Sequence, residues 1–233
     1  MSIWFAIPSA RPLEEATATL ALWRKQGYRI ALFCDADKAA PVSDLRVLDR
    51  YPGYAQAVNR LVEHILECDP KVSWIVTGGD DTEPDPNLTA ETIGAQCSEH
   101  FGGTFGVMQP TGDRWACGSI DTICGSPWMG REFCQRANGG SGPLWREYTH
   151  MFVDLELQQV AQKLGILWQR RDLTHLHKHF TRVDGAVDWK AVMPDFLRQA
   201  NSPEHWAQFQ ALFMGRRGAG FPGHEPNRYH YVS

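Results

Sequence analysis

The sequence predicts an α/β fold with a mostly parallel central sheet and flanking helices. Apolar runs alternate with helical patterns over roughly the first eighty residues, as in consecutive βαβ units. Polar clusters follow these apolar runs, and the carboxyl ends of parallel strands are where such sheets bind ligands. The chain has 233 residues, 43% of them hydrophobic, which suits a single domain with a full core plus a C-terminal extension.

The first apolar run, at residues 3–7, predicts a buried strand that ends at Pro8. Residues 12–26 predict a helix, because proline and acidic residues stand in the first turn and basic residues in the last turn. By the same patterns, the next elements are a strand at 28–33, a helix at about 54–67 and a strand at 72–76.

The second half of the chain is less regular. A strand is expected at 105–109, and the glycine-rich, aromatic passage at 115–148 is typical of a functional or flexible loop. A helix is expected from Phe152 to a stop at Gly165, then a short strand at 166–168. The last elements are predicted helix at 186–214 and an irregular tail, rich in basic and aromatic residues, at 215–233.

Composition bears on partners and location. Lys and Arg number 23 against 27 Asp and Glu, so the net charge of -4 gives no overall electrostatic case for a nucleic-acid or membrane partner. The six cysteines include no C-x-x-C pair, which favours buried thiols over a zinc knuckle. We expect a cytoplasmic protein, because the N-terminus lacks a signal-peptide pattern and no apolar run is long enough to span a bilayer.

Three polar clusters follow predicted strands: Ser9 to Arg11, Asp35 to Asp37, and the pair Asp80-Asp81. Adjacent carboxylates repel, and a hard cation such as Mg²⁺ or Mn²⁺ relieves the repulsion, binding through carboxylates and substrate phosphates. The preceding Gly78-Gly79 allows a tight turn and a close approach of phosphate to the backbone. A solvated acidic turn is the alternative interpretation of the pair.

The segment from Trp74 to Asn87, WIVTGGDDTEPDPN, resembles the strand and Asp-x-Asp motif of GT-A glycosyltransferases, especially the large family 2. In this match Asp81 takes the place of the last, metal-binding aspartate. Gly79 stands where the first acid is expected, so Asp80 is the candidate to replace it. The resemblance implies a GT-A type, Rossmann-like sheet, a Mn²⁺ or Mg²⁺ ion, and a nucleotide-sugar donor, foremost a UDP-sugar.

Further segments resemble the same family in chain order. Pro8, Ser9 and Arg11 fall at the nucleotide-contacting end of the first strand, and Asp35 falls on the acid that meets the base or ribose. Asn59 falls on the helix beside the nucleotide. The resemblance implies a catalytic domain at 1–184, with a nucleotide-sugar half at about 1–112 and an acceptor half at about 113–184. Residues 185–233 are then a helical extension with the irregular tail.

Asp154 is the candidate general base. The segment Val153-Asp-Leu-Glu-Leu resembles the family's E-D-x-D-L element, whose second acid takes the proton of the acceptor hydroxyl in an inverting transfer. Such a base must be ionised and within hydrogen-bond reach of that hydroxyl. The resemblance gives Glu156 a supporting role. The alternative is a helix N-terminus that carries acids to complement its macrodipole.

His175, His177 and His179 alternate, which places all three on one face of a strand and lets their imidazoles converge on one metal ion. Histidines without a ligand are the alternative. Many GT-A enzymes supply a late histidine to the metal of the acidic motif, and His177 is the favoured match. For Trp128 and Trp145 two roles are expected from the sequence. They stack on a sugar or a nucleobase, or they lie in the core, as most tryptophans do.

The leading hypothesis is therefore a metal-dependent, inverting glycosyltransferase that acts on an acceptor hydroxyl. The acceptor is a polysaccharide or other glycan, a small metabolite, or a hydroxymethylated base in DNA. The last option follows from a resemblance to compact viral sugar transferases, for which the location is the host cytoplasm. The alternatives are a nucleotidyltransferase, although residues 8–13 lack the expected glycine-rich phosphate loop, and a non-catalytic nucleotide- or glycan-binding module.

Overall fold

The computed structural model describes residues 1–37, 39–113, 120–179, 182, 193 and 195–224. The strands are, in chain order, β1 (Ser2–Pro8), β2 (Arg29–Cys34), β3 (Leu45–Leu48), β4 (Val72–Val76), β5 (Thr82–Glu83), β6 (Val107–Pro110), β7 (Trp128–Gly130), β8 (Leu167–Arg170) and β9 (Leu176–His177). Seven of them form one sheet in the order β3-β2-β1-β4-β7-β6-β8, and β5 and β9 form a separate ribbon.

Helices cover both faces of the sheet. They are α1 (Leu13–Lys25), α2 (Tyr54–Cys68), α3 (Ala90–Phe101), α4 (Arg131–Arg136), α5 (Val153–Lys163), α6 (Asp195–Ala200) and α7 (Pro203–Gly218). Among the described residues, no helix has both the length and the apolar character needed to cross a membrane.

All strands of the large sheet run in one direction except β7, which pairs antiparallel with β4 and with β6. Parallel ladders join β3, β2, β1 and β4, and another joins β6 to β8. The predicted α/β fold with a mostly parallel sheet is therefore confirmed.

Side chains of β1 alternate between two apolar layers. Trp4 and Ala6 belong to the layer with α2, α5 and α7, whereas Phe5 and Ile7 belong to the layer with α1 and α3. All four side chains are fully buried. The continuous apolar run at the N-terminus thus reflects a central strand that is covered on both faces.

The strongest sequence patterns are confirmed. The strand predicted at 72–76 coincides with β4, and the strands predicted at 3–7 and 28–33 lie within one residue of β1 and β2. The helix predicted at 54–67 is α2 with one further residue. These segments carry long apolar runs or a wide apolar stripe, which tertiary packing reinforces.

Other boundaries are corrected. Helix α3 and strand β3 were not predicted, and the passage at 115–148, predicted as a loop, contains β7 and α4. Helix α7 continues to Gly218, so the tail predicted from residue 215 begins as helix. Residues 186–192 and 225–233, predicted as helix and irregular tail, lie outside the described residues.

Helix α7, in the predicted C-terminal extension, is bound to the body of the domain through the core. Phe209 and Phe213 are each 3% exposed and belong to the same apolar cluster as α2 and α5. Arg216 forms a buried ion pair with Glu156 of α5. The extension therefore completes one face of the sheet.

We predict that Phe209→Ala destabilises the protein by about 3–5 kcal/mol, since it removes a buried aromatic ring and leaves a cavity. Met214→Ala on the same helix is the matched control, because Met214 is 55% exposed and surface changes usually fall within about 0.5 kcal/mol. Chemical denaturation of both variants measures the difference. Equal stability of the two would contradict the core role of α7.

Candidate active site

The carboxyl ends of β1 and β4 are joined by a charged cluster. Pro8 ends β1, and the following Ser9 donates its hydroxyl to Asp80 Oδ2 at 2.9 Å. Arg11 Nε donates to Asp80 Oδ1 at 2.9 Å, and Arg11 Nη2 lies 3.1 Å from Asp81 Oδ2. The structure thus brings together Ser9, Arg11, Asp80 and Asp81, as the sequence predicted. The positive guanidinium relieves the repulsion between the two neighbouring carboxylates.

His177 lies on the other oxygen of Asp81. Its Nε2 is 3.1 Å from Asp81 Oδ1. The ribbon of β5 and β9 fixes this contact, because Thr82 pairs with His177 and the amide of Lys178 donates to the carbonyl of Asp81 at 2.8 Å. Burial alone would raise the pKa of Asp81, but the hydrogen bond with His177 and the charges of His177 and Arg11 hold that pKa below its usual value. Asp81 is therefore ionised at neutral pH.

Gly79 is explained by the position of the Asp81 carboxylate. A Cβ atom at residue 79 would lie 2.3 Å from Asp81 Oδ1, because the carboxylate folds over the glycine. Any side chain at residue 79 would push this oxygen away from its place beside His177. The acid that the Asp-x-Asp motif leads one to expect at residue 79 is thus replaced by bare backbone, and Asp80 supplies the second carboxylate.

His175 does not join His177 at the acid pair. It lies in the core, where its Nδ1 is 2.7 Å from Ser126 Oγ and its Nε2 is 3.5 Å from the indole nitrogen of Trp128. Indole can only donate, and the Ser126 hydroxyl donates to the carbonyl of Thr77 at 3.1 Å. His175 therefore accepts at Nε2 and donates from Nδ1. Burial lowers the pKa of His175 to about 3, so the ring is neutral.

The expectation that three alternating histidines share one face is accordingly wrong for His175. Strand β9 is only two residues long, so the alternation does not extend back to residue 175. His179 stays near His177, with ring centroids 5.1 Å apart. Burial, followed by the charge of His177, lowers the pKa of His179 to about 4, and His150 adds to this effect. His150 thus lies near His179, and it was not among the predicted site residues.

The donor atoms of Asp81 and His177 suit one divalent cation. Two neighbouring ligands of an octahedral ion, with bonds of about 2.1 Å, are about 3.0 Å apart. The separation of 3.1 Å between Asp81 Oδ1 and His177 Nε2, which a hydrogen bond also gives, is compatible with this geometry. Among the described residues, no group of three or more His, Cys, Asp or Glu side chains is placed to hold a metal. Two protein ligands leave open the positions that phosphate and water usually occupy on Mg²⁺.

Asp35 lies at the neighbouring end of β2 and accepts a hydrogen bond from the amide of Tyr51 at 3.1 Å. Partial burial of the Tyr51 hydroxyl, together with the charges of Asp80 and Asp35, raises the pKa of Tyr51 to about 12. The residue is still 45% exposed, so its ring is open to a ligand beside Asp35. Tyr51 was not among the predicted site residues. An aromatic residue directly before Pro52-Gly53 was the available signal.

Asn59 has a structural role and does not join the acid pair. Its Nδ2 donates to the carbonyl of Leu144 at 2.7 Å, and its Oδ1 accepts from the Leu144 amide at 3.1 Å. Tyr54, which lies about 7.5 Å nearer the start of α2, instead contacts the loop after β4 that carries Asp80 and Asp81. Its hydroxyl lies 3.0 Å from Thr77 Oγ1 and donates to the carbonyl of Gly78 at 3.3 Å. Tyr54 was also missed by the sequence analysis.

Asp154 lies in the first turn of α5 and faces Tyr54. Burial raises the pKa of Asp154, and hydrogen bonds from the backbone, including that of Leu155 at 2.8 Å, offset the rise only in part. The negative charge of Asp154 adds to the burial that raises the pKa of Tyr54. Within the described part of the chain, no Lys or Arg side chain forms an ion pair with Asp154. Asp154 is thus a partly buried carboxylate close to Tyr54, whose hydroxyl contacts Thr77 and Gly78.

The turn before Asp154 is held in a strained conformation. Phe152 has a φ of 67°, in the left-handed region that few non-glycine residues adopt. The start of α2 fixes this turn: the amide of Tyr54 donates to the carbonyl of Thr149 at 2.7 Å, and a Cβ on Gly53 would lie 2.9 Å from Thr149 Cα. The position of Asp154 is therefore set by packing between α2 and the 149–152 turn.

Glu156, two residues further along α5, differs from Asp154 because it has a cationic partner. Its carboxylate accepts from Arg216 Nε at 2.8 Å and from the Tyr148 hydroxyl at 2.8 Å. The guanidinium of Arg216 lies 3.5 Å from the ring centre of Trp145, and Trp128 is fully buried. Glu156 thus joins α5 to α7, and neither tryptophan is free to form a stacking platform.

Comparisons with known proteins give a likeness to solved structures and no match by sequence. No family model matches the chain, and no curated protein matches it. Among solved structures, it resembles a β-1,4-galactosyltransferase 7 of Drosophila, crystallised as a mutant with manganese, UDP-Gal and xylobiose. The TM-score is 0.47 at 13% sequence identity, and the match covers 83% of this chain and 80% of that one. The functional assignment therefore rests on the geometry of the site.

We predict that Asp154→Asn stabilises the protein at neutral pH. A pKa raised in the folded state means that the folded chain holds the proton more tightly than the unfolded chain. Stability is therefore lost as pH rises from the unfolded value, about 3.9, through the folded pKa. Asparagine removes this loss and still accepts the hydrogen bond from Leu155.

Thermal unfolding at pH 7.5 and at pH 3 measures this effect, with a higher Tm for the variant at pH 7.5 and a smaller difference at pH 3. Asp49→Asn is the control of opposite sign. A hydrogen bond from Arg60 lowers the pKa of Asp49, so the substitution removes a favourable interaction. A lower Tm for Asp154→Asn at pH 7.5 would show that its charge is compensated in the folded state.

Proposed function

We propose that this protein is a metal-dependent glycosyltransferase that moves a sugar, with inversion, from a nucleoside diphosphate sugar to an acceptor hydroxyl. One observation carries the proposal. A single edge of the sheet collects a charged cluster that suits a cation and a diphosphate, and Tyr54 connects this edge to Asp154. Asp154 is a partly buried carboxylate that forms no ion pair with any Lys or Arg side chain of the described residues. A transfer of this kind needs both parts.

The charged cluster is suited to the diphosphate of the donor. Arg11 presents a guanidinium that Asp80 and Glu15 orient, and a guanidinium binds phosphate oxygens well. Gly79, which is partly exposed, presents backbone at the same edge. Asp81 and His177 would hold a Mn²⁺ or Mg²⁺ ion, which supplies positive charge for the leaving diphosphate.

The nucleoside part of the donor is assigned to the edge at β2. The Asp35 carboxylate offers acceptors for ribose hydroxyls or for an N–H of the base. The half-exposed ring of Tyr51, next to Asp35, offers a stacking surface for the base. We propose a UDP-sugar as the donor, with its diphosphate between this edge and Asp81.

Asp154 is proposed as the general base. As the acceptor oxygen attacks the anomeric carbon, a new C–O bond forms, the bond from that carbon to the diphosphate oxygen breaks, and the acceptor proton passes to Asp154. The electron pair of the broken bond leaves with the diphosphate. A raised pKa makes this carboxylate a better proton acceptor than an exposed aspartate. A single displacement inverts the configuration at the anomeric carbon.

We predict that UDP with Mn²⁺ raises the Tm of the protein by roughly 5 °C at about 100 times the Kd, and that Asp81→Asn and His177→Ala remove the Mn²⁺-dependent part. Asp44→Asn is the matched control, because Asp44 pairs with Arg24 of α1 at the surface. Thermal shift with UDP alone, Mn²⁺ alone and both together measures the effect. No shift of the wild-type protein under any of these conditions would count against the proposed donor site.

We also predict that Asp154→Asn lowers kcat by about 10²–10⁴-fold while leaving UDP and Mn²⁺ binding unchanged, since it removes only the proton acceptor. Release of UDP from a UDP-sugar measures the transfer, and release of pyrophosphate from a nucleoside triphosphate would instead indicate a nucleotidyltransferase. Turnover retained in the variant would exclude Asp154 as the base. A chain that binds UDP and turns over no donor would be a binding module.

A further inference from the structure

We propose that helix α7 positions the general base: Trp206, Phe213 and Arg216 hold the first turn of α5 on both sides of Asp154. This inference rests on the proposed role of Asp154. It gives the C-terminal extension an indirect role in catalysis, although α7 itself contributes no group that contacts the reacting atoms.

A single stripe of α7 lies along the segment that leads into α5. Residues 206, 209, 213 and 216 follow one another at spacings of three and four, so they share one face of the helix. Each has a partner in the segment 145–156. Trp206 and Phe213 contact Phe152, Phe209 contacts Tyr148, and Arg216 contacts Glu156.

On the N-terminal side of Asp154, the contact is aromatic. The ring of Phe152 lies 5.0 Å from that of Trp206 and 5.7 Å from that of Phe213. Phe152 is also the residue with a φ of 67°. A strained backbone persists only where its surroundings hold it, and these two rings of α7 are part of those surroundings.

On the C-terminal side, the contact is ionic. Arg216 Nε lies 2.8 and 2.9 Å from the two oxygens of Glu156, and Nη2 lies 2.7 Å from Oε1. The two side chains are only 8% and 5% exposed. Trp145 covers the guanidinium, and the Tyr148 hydroxyl donates to Glu156. Such a pair is directional, so it fixes the rotation of the first turn of α5.

Asp154 lies midway between these contacts, two residues from Phe152 and two from Glu156. A general base must be placed within a fraction of an ångström, and a shift of about 1 Å lowers a rate by up to about 10²-fold. Two contacts from one rigid helix supply that placement. Neither touches the Asp154 carboxylate, which forms no ion pair with a Lys or Arg side chain in the part of the chain that the structure describes.

The test compares Arg216→Lys with Arg29→Met. Lysine keeps the charge at residue 216 but loses the fork that grips Glu156. Arg29 pairs with the buried Asp69 at the start of β2, the opposite edge of the sheet, so its loss perturbs the fold without reaching α5. We expect kcat of Arg216→Lys to fall roughly 10- to 100-fold, with UDP and Mn²⁺ affinities within twofold of wild type. Arg29→Met should keep its kcat at a temperature where both variants are fully folded.

A second measurement follows the base directly. The amides of Leu155 and Cys124 both donate to Asp154, one to its carboxylate and the other to its carbonyl. In Arg216→Lys, hydrogen exchange should speed up in peptides covering 120–126 and 152–158, and in Arg29→Met it should not. Unchanged exchange there, or a kcat equal to that of Arg29→Met, would overturn the positioning role. A failure of the proposed glycosyltransferase function would look different, because the wild-type protein would then release no UDP. The hydrogen-exchange comparison would still show whether α7 holds the first turn of α5.

Discussion

The carboxylate of Asp81 is the point on which the active-site edge depends. Adjacent acids at residues 80 and 81 repel each other, and two partners from distant parts of the chain compensate them. Arg11, just beyond β1, binds both acids, and His177, from the β5–β9 ribbon, binds the free oxygen of Asp81. Electrostatic compensation thereby ties together three segments that are far apart in the sequence.

The two carboxylates of the first turn of α5 show how one helix serves two purposes. Glu156 is satisfied by Arg216 and Tyr148, so its charge contributes to packing. Asp154 lacks such a partner among the described residues and therefore carries an unfavourable charge in the folded state. Perturbed groups of this kind concentrate at functional sites, where stability is exchanged for reactivity. The same turn thus contains both a structural anchor and a reactive group.

The fold could be predicted wherever a segment carried its own signal. Strands β1, β2 and β4 carry mostly apolar residues because most of each strand is buried on both faces, and α2 has a wide apolar stripe. Strand β3 lies at the sheet edge with alternate residues exposed, and β7 has three residues, so neither contrasts with its surroundings. Their pairing is decided by tertiary contacts that no local pattern records.

The site residues also fall into those that could be predicted from the sequence and those that could not. Ser9, Arg11, Asp80 and Asp81 were predictable because polar residues after buried parallel strands must meet at one edge. Asn59 and His175 resemble ligands in the sequence, but their side chains satisfy backbone and core groups. Tyr51 and Tyr54 were missed because the role of a tyrosine depends on where its ring points, which the neighbouring residues do not fix.

The reversal of β7 has a consequence for how the protein can diversify. Strand β6 ends at the active-site edge, and β7, which runs the other way, begins there, so the connection at 111–127 starts and finishes at the same edge. Insertions or deletions within this connection leave the register of the sheet untouched. A parallel crossover would instead have to return along a face of the sheet and repack a helix. This topology offers natural variation, or a protein engineer, a place to change what is recognised at the active-site edge without rebuilding the core.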